Sequence, residues 1–380
     1  MRVHIIDIIP HDCSVWEQTQ RMIELERLVT TYGGLVIIKT IQKKDIPAYR
    51  TYIGKGKLDM IVEDMIATES DLLIVGNILK PAQIYNINEF FRTHPLVKDT
   101  NIKIEAWDKV DLILKIFDKH AQSTEARLQI ELAAIKHMGP RIFGMGMEMS
   151  KQGGSSGGGG GAMRGLGETN TERMRRHLKE KAYVIEQKLK EYSQMRELHR
   201  VRRKRMQLPV FGIVGYTNAG KSSLMRTMCK KEAYVADKLF ATLGTEVGKL
   251  YIQPKQDENN FQLGKEALLI DTIGFIRDLP PQLIKAFAST LEDSIQSDIL
   301  LHVIDANDPD LINKVQIVED ILSQIKATQP MIYVFNKCDE LSEEKKEALS
   351  DQYYGKHVVF VSALTGAGLE DLQDEMMKMI

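Results

Sequence analysis

Apolar positions fall into three regimes along the 380-residue chain. From Val3 to about residue 105, short β-rich runs (VHIIDII, GGLVIIKT, DLLIVGN) alternate with helical patterns such as WEQTQRMIELERLVTTY. That rhythm predicts a small α/β domain, with bounds at residues 1–106. Over residues 107–205 the β signal disappears and two charged helical segments flank a glycine-rich stretch. Leu178, Ala182, Ile185, Leu189 and Tyr192 form one apolar seam with a 4-3-4-3 spacing, and Leu128, Leu132 and Ile135 offer a matching stripe. Two such helices are expected to fold back as an antiparallel hairpin whose tip, about residues 151–168, holds GGSSGGGGGAMRGLGE. From residue 206 to 380 the near-continuous apolar runs PVFGIVGY, EALLIDTIG, DILLHVIDA, MIYVFNKCD and HVVFVSAL predict a mainly parallel sheet covered on both faces.

Composition narrows the class. A hydrophobic fraction of 43% can fill real cores, and a formal net charge of -1 provides no global field toward nucleic acid, so any basic surface is local. One such surface is RELHRVRRKRM, which places six Arg or Lys residues at the junction of the hairpin and the C-terminal domain. It reads either as a phosphate-contacting face or as a solvated helix end. Cys13, Cys229 and Cys338 are far apart and lack metal-ligand spacing, so each reads as a small buried hydrophobe in a reducing compartment. With neither a signal peptide nor a spanning segment legible, the expected location is cytoplasmic, with part peripheral at the membrane.

GYTNAGKSS, Gly215 to Ser223, matches GxxxxGK[ST] between a strand-like run and a helical one. Backbone amides of Gly215, Tyr216, Thr217, Asn218, Ala219 and Gly220 can close around phosphates, Lys221 can reach the β and γ phosphates, and the Ser222 hydroxyl can ligate magnesium beside Ser223. Fifty residues after Lys221 comes DTIG (Asp271, Thr272, Ile273, Gly274), whose aspartate would hold magnesium through water and whose Gly274 amide would bond the γ-phosphate. NKCD supplies Asn336 and Lys337 to a base and its stem, and Asp339 to the N1 and N2 donors of guanine, which adenine lacks. Ser362, Ala363 and Leu364 end another strand and suit an amide bond to the guanine O6. Each motif alone reads as a turn, but four in order at strand ends specify a GTP-binding domain. Thr242, in LFATLGTE, is the candidate switch threonine and magnesium ligand, its plain alternative being a β-edge threonine. Lys221, Thr242 and Gly274 are thus the candidate catalytic residues, and GTP hydrolysis to GDP and phosphate the expected reaction. Phe275 stands where Ras-type GTPases place the water-orienting glutamine, so slow intrinsic turnover raised by a partner is expected.

GYTNAGKSSL, ADKLFATL and DTIGFIRDLPPQLIKAF resemble the HflX family of ribosome-associated GTPases. YIGKGKL, TEARLQIELAA, KQGG and RGLGETNTE resemble the same family in the same order, with Leu166, Asn170 and Thr171 departing from its usual RGPGETQLE. The resemblance implies a monomeric enzyme that uses Mg2+, binds the large ribosomal subunit and its RNA, and splits or rescues ribosomes under stress. Asn218 matches the asparagine with which some glutamine-less GTPases help hold K+. Arg164, Arg200, Arg202, Arg203, Lys204 and Arg205 are the RNA-contact candidates. The glycine tip reads as an RNA-following surface, a flexible linker or an engineered scar. GKGK, Gly54 to Lys57, lacks phosphate-loop spacing and reads as a turn with exposed lysines. A nucleotide sensor without turnover, and a signalling GTPase with a protein target, stay open beside the ribosomal reading.

Overall fold

The computed structural model describes residues 1–100, 102–121, 123–137, 162–205, 208–229, 246–253, 264–272, 274–277, 283 and 297–380. Two compact units divide the chain, one of residues 1–119 and 127–190, the other of residues 120–126 and 191–380.

The first unit is built on four parallel strands in the order β2-β1-β3-β4, with β1 Arg2–Ile9, β2 Leu35–Lys43, β3 Leu72–Val75 and β4 Glu105–Asp108. Between β1 and β2 runs α1 (Val15–Tyr32). The Ser14 hydroxyl accepts from the Glu17 amide at its start, and Gly33 ends it in the left-handed region at φ 101°, where an alanine would be strained. Helices α2 (Lys55–Ala67), α3 (Pro81–Thr93) and the short α4 (Pro95–Lys98) complete the crossovers, and Leu58, Ile61, Met65, Ile84, Ile87 and Phe91 pack with Ile6, Leu73 and Val75 in one core. GKGK is no free turn: Gly54 caps α2, leaving Lys55 exposed and Lys57 half-buried.

Helix α5 (Lys109–His120) opens on a reciprocal cap. Asp108 accepts from the Asp111 amide at 2.8 Å and Asp111 from the Asp108 amide at 3.3 Å, which satisfies donors the helix start leaves over. His137 Nε2 lies 3.3 Å from Asp108 and 3.4 Å from Asp111.

The helix over residues 124–137, α6, and α7 (Ala162–Arg205) form the expected pair. Lys181 meets Glu131 at 2.5 Å and Lys136 meets Glu186 at 2.9 Å in the first unit, while Arg196 pairs with Glu125 in the second; partners run in opposite directions along the two helices. Ile185 is buried and Leu178, Ala182, Leu189 and Tyr192 are half-buried, so that seam is where the spacing put it. The stripe on α6 is displaced. Leu132 is buried, but Leu128 and Ile135 are only half-covered, and the enclosed face is Ala126, Ile130, Ala133 and His137, rotated inward by the bonds from His137 to the α5 cap. Helix α7 already begins at Ala162, so residues 162–168 of the expected tip are helical and Arg164 sits in the first turn; the preceding glycines lie outside the described residues.

In the second unit a six-stranded sheet has the order β10-β9-β8-β5-β7-β6: β5 Val210–Val214, β6 Glu246–Ile252, β7 Lys265–Asp271, β8 Ile299–Asp305, β9 Met331–Asn336 and β10 His357–Phe360. All pairs are parallel except β6 on β7, an antiparallel edge whose half-exposed alternation gave no continuous apolar run. Helices α8 (Lys221–Met228), α9 (Leu311–Gln324), α10 (Glu343–Gln352) and α11 (Leu369–Lys378) accompany it. Phe211, Ile213, Leu269, Leu301 and Val334 of the strands close with Leu224, Met225, Leu372 and Met376 into one core. The three cysteines are half-buried thiols rather than enclosed hydrophobes.

Candidate functional site

The strand ends β5, β7, β8 and β9, together with the loop after β10, bring the nucleotide motifs to one edge of the sheet, where ligands of open parallel sheets bind. Sterics dictate the glycines. A Cβ on Gly215, at φ 149°, would meet the Val303 carbonyl oxygen at 2.2 Å, and one on Gly220, at φ 91°, would meet Asn336 Nδ2 at 2.1 Å. Asn218, at φ 64°, occupies the left-handed conformation that asparagine tolerates best among residues with a side chain.

Lys221 is buried and donates from Nζ to the Tyr216 carbonyl at 2.8 Å. Burial pulls its ammonium down to about 8, against a partial opposing pull from Asp271. The Ser222 hydroxyl and an Asp271 carboxylate oxygen are 2.6 Å apart, with Asp271 fully buried at the end of β7. A hydroxyl and a carboxylate side by side are hard oxygen donors, the kind Mg2+ takes, so this pair suits that ion. Gly274 leaves no room for a side chain: a Cβ there would come within 2.8 Å of Lys221 Nζ and 3.0 Å of Thr217 Cα. Thr217 is buried, and its amide donates to the Phe275 carbonyl.

On the base side, the Asn336 side chain is largely spent on protein. Its Nδ2 donates to the Ala219 carbonyl at 2.8 Å and its Oδ1 accepts from the Ala363 amide at 2.9 Å, which ties the phosphate loop to the SAL loop. One Nδ2 hydrogen remains for a base. Lys337, at φ 65°, has its Nζ 2.6 Å from Asp305, and Asp339 is exposed. The Ser362 hydroxyl is buried and accepts from the Thr365 amide at 3.2 Å.

Two details of the sequence reading change, at Thr272 and Leu364. The Thr272 side chain is turned away from the Ser222 and Asp271 pair, its hydroxyl donating to the Ile213 carbonyl at 2.6 Å, because alternation at the strand end sends it to the face opposite Asp271. The Leu364 side chain is 88% exposed, while the Ala363 amide is held by Asn336. Phe275 contributes backbone rather than ring: the ring is buried, while its amide donates to Gly215 and its carbonyl accepts from Thr217. Ser222 and Ser223 are both half-buried in the first turn of α8. Thr242 and Ile273 lie outside the described residues, as do the side chains of Arg164, Arg200, Arg202, Arg203, Lys204 and Arg205, whose backbones all belong to α7.

Sequence reasoning passed over Arg277 and Asp310, an ion pair at 2.6 Å in which the carboxylate side chain is 3% exposed. It also passed over the Asp108, Asp111 and His137 cluster of the first unit, whose ligand-type atoms lie within 4.8 Å of one another. There the two carboxylates raise the imidazole to about 9 against the opposing effect of its burial, so it is charged at neutral pH.

Comparison with known proteins decides the family. The chain is 42% identical over 326 residues to the GTPase HflX of Caldanaerobacter subterraneus subsp. tengcongensis, covering 86% of this chain and 70% of that protein. The chain belongs to the HflX family of GTPases. The HflX of Escherichia coli is 34% identical over 352 residues, 92% of this chain and 76% of its own, and that of Methanocaldococcus jannaschii 35% over 360 residues, 93% and 81%. Three family models cover this HflX-family chain in order: a GTP-binding GTPase N-terminal region at residues 19–118, a GTP-binding GTPase middle region at 120–203, and a 50S ribosome-binding GTPase at 210–337. Among solved structures, SsGBP in complex with GDP matches with a TM-score of 0.51 at 26% identity, covering all of this chain and 98% of that one. Guanine nucleotide binding and GTP hydrolysis are accordingly the activity of this HflX-family enzyme. No described helix is long and apolar enough to cross a membrane.

Proposed function

We propose that this GTPase works on the large ribosomal subunit, where contact with the subunit completes a hydrolytic site that the isolated chain leaves slow. The observation that carries the reading is the match of residues 210–337 to a family described as a 50S ribosome-binding GTPase. The arginine run at the end of α7 supports it, since Arg200, Arg202, Arg203, Lys204 and Arg205 concentrate positive charge, as phosphate binding requires, in a chain of net charge -1. The division of labour follows the sequence: residues 1–106 as an α/β domain, 107–205 as the hairpin directed at RNA, and 206–380 as the GTPase domain. Splitting or rescue of ribosomes under stress is the outcome we assign to it, acting as a monomer in the cytoplasm.

In the proposed site the Lys221 ammonium lies against the β and γ phosphates, and the amides of residues 215–220 cradle the phosphate chain. The Gly274 amide senses the γ-phosphate, and Thr242 closes over it. Asp339 accepts from guanine N1 and N2, the Lys337 stem packs on the base, and the Ala363 amide donates to O6. Ser222 and Thr242 would hold Mg2+, with Asp271 acting through water, and the ion would neutralise charge developing on the β and γ oxygens. Asn218 would add a ligand for K+, whose charge stands in for an arginine finger. Loss of the γ-phosphate releases the loops around Thr242 and Gly274 and so switches affinity for the partner.

The test is GTP hydrolysis by the full chain with and without purified large subunits, in potassium and in sodium buffer. A rise of about tenfold or more with subunits, equal to about 1.4 kcal/mol off the barrier, supports the reading; unchanged turnover with GTP still bound contradicts it. Equal rates in the two salts would remove potassium from the proposal. Loss of subunit binding on neutralising Arg200, Arg202, Arg203, Lys204 and Arg205 would exclude a signalling GTPase whose target is a protein.

A further inference from the structure

Immediately after DTIG the chain is fastened to the phosphate loop at three consecutive points. The Phe275 amide donates to the Gly215 carbonyl at 3.1 Å and the Phe275 carbonyl accepts from the Thr217 amide at 2.8 Å, which makes residues 216 and 275 a parallel bridge. The third point is a side chain: the Arg277 amide donates to the Tyr216 hydroxyl oxygen at 2.7 Å. Tyr216 is 93% covered, and its ring carries the Lys314 ammonium 5.1 Å from its centroid. Lys314 is in turn paired with Asp308, whose Oδ1 accepts from the Asp310 amide at 2.8 Å. The Arg277 guanidinium runs to the same corner, donating to Asp310 Oδ2 at 2.6 Å while Asp310 Oδ1 accepts from Asn313 at 2.6 Å. Arg277 is therefore held at both ends, its amide by the phosphate loop and its side chain by the start of α9.

We infer that Tyr216 is a positioning residue for hydrolysis, whose hydroxyl, acting with the Arg277 and Asp310 pair, sets the Gly274 amide for the γ-phosphate. This goes beyond the ribosomal reading and rests only on the GTPase activity. Gly274 is flanked by the tied segment and enclosed by Lys221 and Thr217, so small displacements of residues 275–277 move its peptide against the phosphate loop. The position at which Ras-type GTPases place a water-orienting glutamine is a buried phenylalanine here, which leaves backbone placement as what this stretch supplies. A γ-phosphate contact distinguishes GTP from GDP, so the hydroxyl should matter for one nucleotide and not the other.

Tyr216→Phe removes the acceptor and keeps the ring, its packing and the Lys314 contact. The full chain is assayed for affinity to GDP and to a non-hydrolysable GTP analogue, for kcat and KM, and for melting temperature. The expected result is a kcat lowered about tenfold and analogue affinity lowered about fivefold, with GDP affinity within twofold and an unchanged melting temperature. Asp310→Asn, which removes the charge and leaves one acceptor oxygen where Arg277 and Asn313 use two, should lower kcat in the same sense, and the double variant should lose less than the product of the two. Equal losses for GDP and the analogue, or a lowered melting temperature with both, would show a merely structural tyrosine and overturn the inference. So would unchanged kinetics.

Discussion

Replacing Asn336 by alanine tests how the two halves of the nucleotide site are joined. The wild-type amide fills the space over Gly220 and satisfies the Ala219 carbonyl and the Ala363 amide, at 2.8 and 2.9 Å. Removing it leaves both groups without that partner in a buried place, and each unmade bond costs about 1–3 kcal/mol, or ~2–6 kcal/mol together. A water entering the gap would bring the loss to the low end of that range. Because the two loops carry the phosphate-loop and SAL motifs, even 2 kcal/mol carried into nucleotide binding weakens affinity about 30-fold. Urea unfolding of the full chain and calorimetric titration with GDP measure both effects. Stability lowered by less than about 0.5 kcal/mol, with GDP affinity within twofold, would refute the linkage.

Three further outcomes are expected. Gly274→Ala forces a methyl against Thr217 Cα at 3.0 Å and Lys221 Nζ at 2.8 Å, so kcat should fall about 100-fold or more with GDP still bound, read by single-turnover hydrolysis. Lys221, held near 8 by burial, should be drawn back to its charged form by bound phosphates; GDP binding should take up about half a proton at pH 8 and almost none at pH 6, measured by titration calorimetry in buffers of different ionisation heat. His137 has a native value of about 9 against an ordinary 6.5, so the folded state binds more protons between these values. Its stabilisation is complete below pH 6.5 and is lost as pH rises through 9, on the order of 3 kcal/mol, and His137→Gln should flatten that slope in denaturant unfolding across the window.

The parts of this molecule that sequence exposes are those where one residue type alone fits. Gly215 and Gly220 face a carbonyl and an amide at distances no Cβ tolerates, and the seam through Ile185 repeats at the period of the helix that carries it. What stayed hidden was decided by tertiary partners. The buried face of α6 turns toward His137 because Asp108 and Asp111 bond it, and an apolar-periodicity count has no place for a histidine that is buried by charge. Arg277 and Asp310 are 33 residues apart and meet only after the sheet forms. Asp271 and Thr272 were one motif in sequence, but the strand end sends their side chains to opposite sides, toward Ser222 and toward Ile213. Edge strand β6 was missed because only alternate residues are buried, so no apolar run marks it.

The central claim is that this GTPase gains its catalytic order from the large ribosomal subunit. The most direct measurement is the steady-state GTP hydrolysis rate of the full chain in potassium buffer as purified large subunits are added. Saturable stimulation of about tenfold or more, lost when the α7 arginine run is neutralised, is the predicted result. A rate that stays at its intrinsic value across the titration, while GDP and GTP bind normally, would contradict it.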